Sequence, residues 1–258
     1  MPGFKMPIFS KGNLLSQEML EALRDYEVQL AQNTYAGYTD GIVTGTRISV
    51  KQGAICIGQG IVKFDERLFF IPSDTEIKIK PVDEWQAVKV VFSELEKTKT
   101  FEQQEMTIEV SRNLQRERNK IEICRVRLQD GARLRSEYRN LEDMRTEYDT
   151  INVLEAQWSA YEKSSIHPQI LMEFAKEARK GNVENSQDIT FLQQILNSNG
   201  QALNRDLIQF YLDSRLGKKE EEYSNQEIYQ GLCRALKQIR SGVEQRTEMR
   251  RPRRMIVD

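Results

Sequence analysis

The chain has 258 residues, with 38 Lys+Arg against 39 Asp+Glu, one histidine and three cysteines. A net charge of −1 leaves no global field to draw in nucleic acid or an acidic membrane surface, and a lone histidine removes most triad, zinc and iron chemistry. Cys56, Cys124 and Cys233 are scattered, odd in number and without a Cys-x-x-Cys, which disfavours a zinc ribbon or redox pair and fits a reducing compartment. The first residues lack the apolar core of a signal peptide. Runs such as Leu68-Phe69-Phe70-Ile71 are too short to span a membrane.

Four sections follow in chain order. Residues 1–36 read as an arm and one helix. Ser16 is placed to cap it, and Met19, Leu20, Leu23, Tyr26 or Glu27, and Leu30 recur at helical spacing. Glu18, Glu21, Arg24, Asp25 and Gln29 take the other face. Such a helix is marginal alone, so it either covers its own β domain or pairs with another chain as a coiled-coil-like seam.

Residues 37–135 read as an antiparallel β domain. Glycines at 37, 41, 45, 53, 58 and 60 punctuate short β-branched stretches, with Arg67–Ile71 and Thr75–Ile79 continuing the pattern. Three longer strands follow, marked by Val88/Val90/Phe92, by Met106/Ile108/Val110 and by Ile121 to Leu128. A phase slip at Ile123-Cys124 is a place for a bulge. Apolar/polar alternation implies sheets with one wet face.

Residues 136–166 form an acidic connector, part helical, whose Ile151, Val153, Leu154, Trp158 and Tyr161 must dock somewhere. Residues 167–258 read as a small helical bundle with a basic tail. Pro168 fits a first helical position and Gly181 a stop; Asp188 is placed to cap a second helix; Leu203, Leu207, Phe210 and Tyr211 mark a third. Ser224 and Glu227 form a capping box before Ile228, Leu232, Ala235, Leu236 and Ile239. The fold class is therefore α+β: an N-terminal amphipathic helix, an antiparallel β domain and a C-terminal helical bundle.

Little in this inventory points to catalysis. Gly58-Gln59-Gly60 lacks the third glycine and the helix of a dinucleotide loop, so these glycines read as turns. Glu102, Glu105 and Glu109 read as a solvated strand face, and Lys218 to Glu222 as a solvated run. His167, before Pro168, reads as a helix-start residue, and the cysteines as small core residues. No catalytic, metal or cofactor site is expected. The tail carries Arg246, Arg250, Arg251, Arg253 and Arg254, then Met255-Ile256-Val257. It reads as an arm that docks on a neighbouring subunit, as a frayed end, or as a nucleic-acid contact without stacking aromatics.

One stretch carries a resemblance. Tyr38 to Val50, with its Asp40-Gly41-Ile42-Val43-Thr44-Gly45 core, continues through Gly53, Ile55, Ile57, Gly60-Ile61-Val62-Lys63 and Arg67-Leu68-Phe69. This resembles the small β domain near the N-terminus of phage tail-fibre and baseplate proteins. Asp65-Glu66 stands where the family commonly has Gly before Arg, which changes the hairpin turn. The order of sections is also similar to baseplate parts of contractile-tail phages and phage-like bacteriocins. The resemblance implies a non-enzymatic structural subunit that joins a tail body to fibres or receptor-binding proteins. It would be made in the host cytoplasm, then built into a tail particle or virion, as a homo-oligomer among other tail or baseplate subunits. The partner-binding residues expected on this reading are Met19, Leu20, Leu23, Leu30, Trp158 and the five tail arginines. The alternatives are a receptor- or glycan-binding fibre protein, with Trp85 and Tyr38 as its aromatics, and a nucleic-acid accessory protein acting through the tail.

Overall fold

The computed structural model describes residues 6–12, 14–181, 183–217 and 222–241. Helix α1, Gln17–Thr34, starts where expected: the Met19 amide donates to the Ser16 hydroxyl at 3.3 Å. It ends as Thr34 turns its own hydroxyl back onto the Leu30 carbonyl at 2.7 Å.

Six short strands then wind into two three-stranded antiparallel sheets. They are β1 Gly41–Gly45, β2 Ile48–Lys51, β3 Ala54–Ile57, β4 Gly60–Phe64, β5 Arg67–Ile71 and β6 Thr75–Ile77, ordered β1-β4-β5 and β2-β3-β6. The chain changes sheet between β1 and β2 at a tight corner. Gly45 has φ +74°, and a Cβ there would lie 2.2 Å from the Gln59 carbonyl oxygen, so only glycine fits. The β4–β5 hairpin turns on two residues, Asp65 (φ 46°) and Glu66 (φ 62°), both left-handed. That is a type I′ turn made without glycine. It is held by the Asp65 amide, which donates to Asp40 Oδ1, and by Arg67, which donates to the Asp65 carboxylate.

A longer sheet follows, β10-β7-β11, from β7 Trp85–Phe92, β10 Met106–Ser111 and β11 Lys120–Arg127. The register slips between Glu122 and Cys124, where the alternation lost phase. A small hairpin, β8 Glu96–Lys97 with β9 Glu102–Gln103, projects between β7 and β10. The expectation of one wet face needs correction at its centre. Lys89 and Glu122 are both buried, because the loop before β11 folds back over them. Lys89 donates to the Gln115 carbonyl at 2.9 Å and to Glu117 at 3.0 Å, and Arg125 grips Glu122 at 2.6 and 3.0 Å.

The 136–166 segment contains one 3-10 turn, Glu142–Arg145, and is otherwise irregular, with isolated bridges to the sheets. It threads along the sheets. Asn152 exchanges backbone hydrogen bonds with Arg125, and the Ile42 amide and carbonyl bond Gln157 and Ser159. Among its acidic residues, Asp143 is held by Arg135 through two bonds of 2.6 and 2.7 Å, and Glu142 pairs with Lys237 of the last helix at 3.1 Å. Its Ile151, Val153, Leu154, Ala156 and Trp158 are buried in one apolar core that runs on into the helices.

Those helices are α2 Pro168–Ala178, α3 Ser186–Asn197, α4 Arg205–Leu216 and α5 Asn225–Ser241. His167 caps α2 by accepting from the Gln169 amide at 3.1 Å, and Ser224 and Glu227 form the expected box. The cap of α3 is Asn185, not Asp188. Asp188 instead lies in the first turn, 2% exposed, 3.1 Å from Arg215 and accepting from the Tyr211 hydroxyl at 2.8 Å. A polar first turn, Ser186-Gln187, hid the true start from a reading based on apolar spacing.

Candidate interaction surface

Helix α1 stands apart from the rest of the chain. None of its residues is buried. Its C-terminal end is tied to the body: Tyr38 lies edge-on to Tyr35 (5.5 Å) and to Tyr161 (6.3 Å), and the Glu162 amide donates to the Gly37 carbonyl. Between the helix and the β5 and β8–β9 region runs a groove of about 990 Å³. Arg24, Val28, Ala31, Gln32 and Tyr35 line it from the helix, and Lys63, Arg67, Phe70, Lys99 and Phe101 from the body.

The face that α1 turns to that groove is not its apolar one. At about 100° per residue, Met19, Leu23, Tyr26 and Leu30 share an arc of about 60°. Arg24, Val28, Ala31 and Tyr35 centre on the opposite side of the same wheel. Leu23 is 38% exposed, Leu20 51% and Leu30 57%, while none of Met19, Leu20, Leu23, Tyr26 and Leu30 lines the groove. The apolar stripe therefore does not face the groove against the β domain. The arm before it is equally bare: Met6, Ile8, Phe9, Leu14 and Leu15 are all exposed. The sequence marks this arm as a docking segment but puts none of its residues among the expected contacts, although Leu14-Leu15 directly before the cap was a visible signal.

The structure separates the residues expected to bind partners. Met19, Leu20, Leu23 and Leu30 lie together on α1. Trp158 is a correction: it is 3% exposed, pairs with Ile42 in the sheet and stands edge-on to His167 at 5.0 Å, so it is core and meets no partner. Arg246, Arg250, Arg251, Arg253 and Arg254 lie outside the described residues.

Two smaller concavities lie elsewhere on the body. One, about 400 Å³, lies over the buried charges of the long sheet, with Lys89, Glu117, Lys120, Glu122 and Arg125 on its wall. Its charges answer one another. Bonds from Lys89 and Lys120 hold Glu117 below the usual carboxylate range, and burial pushes Glu122 up against the pull of Arg125. The other, about 330 Å³, is bounded by Trp85, Arg145, Asn152, Gln226, Tyr229 and Gln230. Tyr38, the other aromatic considered for glycan contact, is occupied by its tyrosine neighbours.

Several of the groups weighed for chemistry are engaged or buried. Burial lowers His167 to about 3, so it is a neutral capping acceptor at pH 7. Glu102 accepts from Lys97 at 2.7 Å and Glu109 from Lys120 at 2.8 Å. Cys56 and Cys124 are free and buried, and Cys233 is free and half-buried. Among the described residues, no three His, Cys, Asp or Glu side chains gather as a metal site, and no helix is long and apolar enough to cross a membrane.

No protein-family model matches the chain, and no curated protein matches it. Solved structures do. A crystal structure of TssK is similar with a TM-score of 0.39 and 9% identity, over 94% of this chain and 72% of that one. A TssK–TssF–TssG baseplate subcomplex of the type VI secretion system, seen by cryo-electron microscopy, gives 0.37 and 9%, over 91% of this chain and 100% of the other. The baseplate complex from the type VI secretion system gives 0.35 and 10%, over 91% and 100%.

Proposed function

We propose that this chain is a structural subunit of a phage-type tail baseplate, which joins neighbouring subunits and carries a fibre or receptor-binding protein. The observation that carries the assembly role is α1: an 18-residue helix with no buried residue, whose apolar stripe points away from its own body. Bare apolar surface on this scale is costly in water and marks a docking site. The baseplate setting rests on the residues from Tyr38 to Phe69 that resemble tail-fibre and baseplate β domains. These residues form β1 to β4 and the start of β5, the first five of the six strands in the two small sheets described above. Nothing in this role asks for a nucleophile, metal or cofactor. The test is deletion of the gene followed by negative-stain imaging of the tail particles. Tails without a complete baseplate or fibres support the role, and tails with both intact overturn it.

A second reading is a saccharide-binding fibre protein. The cleft beside Trp85 favours it, since a half-exposed indole beside the amides of Asn152, Gln226 and Gln230 suits a sugar ring. Trp158 is buried and Trp85 is the other of only two tryptophans. A change in tryptophan fluorescence on titration with cell-wall sugars, abolished in Trp85→Phe, would favour that reading over the first.

A further inference from the structure

The outward stripe of α1 has a repeat that suits one particular occupant. Met19, Leu23, Tyr26 and Leu30 are spaced four, three and four apart. Leu23 and Leu30 then fall at the a positions of a heptad, and Met19 and Tyr26 at the d positions. Positions e and g, which face a partner helix from the flanks, hold Leu20, Glu27, Ala22 and Gln29. Glu18, Glu21, Arg24 and Asp25 fall at b, c and f, away from the seam. The seam is therefore apolar along its length, and in a like-with-like pair no g position puts a charge opposite Glu27. It is complementary to itself.

The area is also sufficient. The exposed apolar side chains of the arm and of the outward side of the helix are Met6, Ile8, Phe9, Leu14, Leu15, Leu20, Leu23, Tyr26 and Leu30. Their exposed fractions amount to about five and a half whole side chains. At ~150–200 Å² each this is on the order of 1,000 Å². A stable interface takes about 800 Å² from each partner. Two heptads are too few to hold two free helices together. Here each helix is anchored at its C-terminal end to a folded body, and the arm adds area at its N-terminal end.

We infer that residues 6–12 and 14–30 form a homotypic interface, in which the α1 seam and arm of one chain pack against the same segment of a second copy. This rests on the assembly role proposed above and names one partner within it. The groove on the opposite face of α1 stays outside that interface.

The test uses the full chain. Light scattering behind size exclusion, from about 1 to 100 µM, should give a mass that is a multiple of the monomer and falls on dilution. Leu23→Glu with Leu30→Glu should weaken self-association at least ~100-fold. At dilution where both proteins are monomeric, the unfolding midpoint should not move, because no α1 residue is buried. A second pair of variants does not depend on that result. In a Cys233→Ser background, Tyr26→Cys on the seam should form an interchain disulfide under mild oxidation, and Val28→Cys on the groove side should not. A monomer at every concentration overturns the inference, as does cross-linking through Val28→Cys as readily as through Tyr26→Cys. If a monomeric chain is still required for complete baseplates, the homotypic seam falls and the assembly role stands. Intact tails without the chain overturn the assembly role, whatever its oligomeric state.

Discussion

Glu177 is where three parts of the fold meet, and replacing it should separate two contributions to stability. It lies on α2, 2% exposed. One carboxylate oxygen accepts from the Leu141 amide at 2.9 Å, and the other accepts from Arg240 of α5 at 2.6 Å. Glu177→Ala removes both. Leu141 is fully buried, so its amide is left without an acceptor, a loss of about 1–3 kcal/mol. The missing side-chain atoms add a small cavity worth about 1 kcal/mol. Arg240 is 48% exposed along its side chain and turns to water at little cost. The total expected for Glu177→Ala is about 2–4 kcal/mol. Glu177→Gln keeps an oxygen for the Leu141 amide and the packing but turns its NH2 group toward Arg240, so that bond is lost and Arg240 swings to water; it should cost about 1 kcal/mol. Urea unfolding of both variants measures the pair. The reasoning fails if the glutamine is as damaging as the alanine, or if the alanine costs less than about 1 kcal/mol.

The Arg135–Asp143 pair gives a pH prediction. Chiefly the Arg135 bonds, with others from the Arg139 amide and Thr146, hold Asp143 well below the usual carboxylate range. A depressed folded pKa adds stability above the unfolded value and loses it as pH falls. Asp143→Asn should cost about 1.5–3 kcal/mol at pH 7, and the gap to wild type should narrow steadily below about pH 4 in acid-unfolding curves. The I′ turn gives a second. Glycine at 66 relieves a left-handed residue by about 1 kcal/mol, but Glu66 also pairs at 3.1 Å with Lys63, whose side chain is only 3% exposed. Glu66→Gly should therefore be neutral or destabilising in the wild type and stabilising in a Lys63→Met background; equal shifts in thermal midpoint in both backgrounds would refute the coupling.

What was legible in the sequence was local. The Ser16 cap, the Ser224–Glu227 box, the bulge near Cys124 and the His167 cap each depend on a few adjacent residues, and each is found. What was not legible depends on chain that returns from far away. Trp158 sits in an irregular segment without helical or strand periodicity, and its burial is fixed by pairing with Ile42, more than a hundred residues earlier. Lys89 looks like a wet-face residue until the loop carrying Gln115 and Glu117 closes over it. For α1, sequence defined the stripe but not its direction. That required the groove, whose far wall comes from Phe70 and Phe101.

Direction also bears on the charge balance of 38 against 39. The charges described here are largely answered locally, as at Lys89–Glu117, Arg125–Glu122, Arg135–Asp143 and Arg215–Asp188. The stripe on α1 carries none at its a or d positions. Two routes to assembly therefore differ in their response to salt. Raising NaCl from ~0.1 to ~1 M shortens the Debye length from about 10 to about 3 Å. Association through the α1 seam should change by less than about threefold over that range, since it depends on apolar burial. Docking through Arg246, Arg250, Arg251, Arg253 and Arg254 on an acidic neighbour should weaken by far more, because exposed charges are what salt screens. Sedimentation of the full chain at the two salt concentrations separates them. Dissociation at high salt would move the interface from α1 to the tail, even if Leu23→Glu also weakened the assembly.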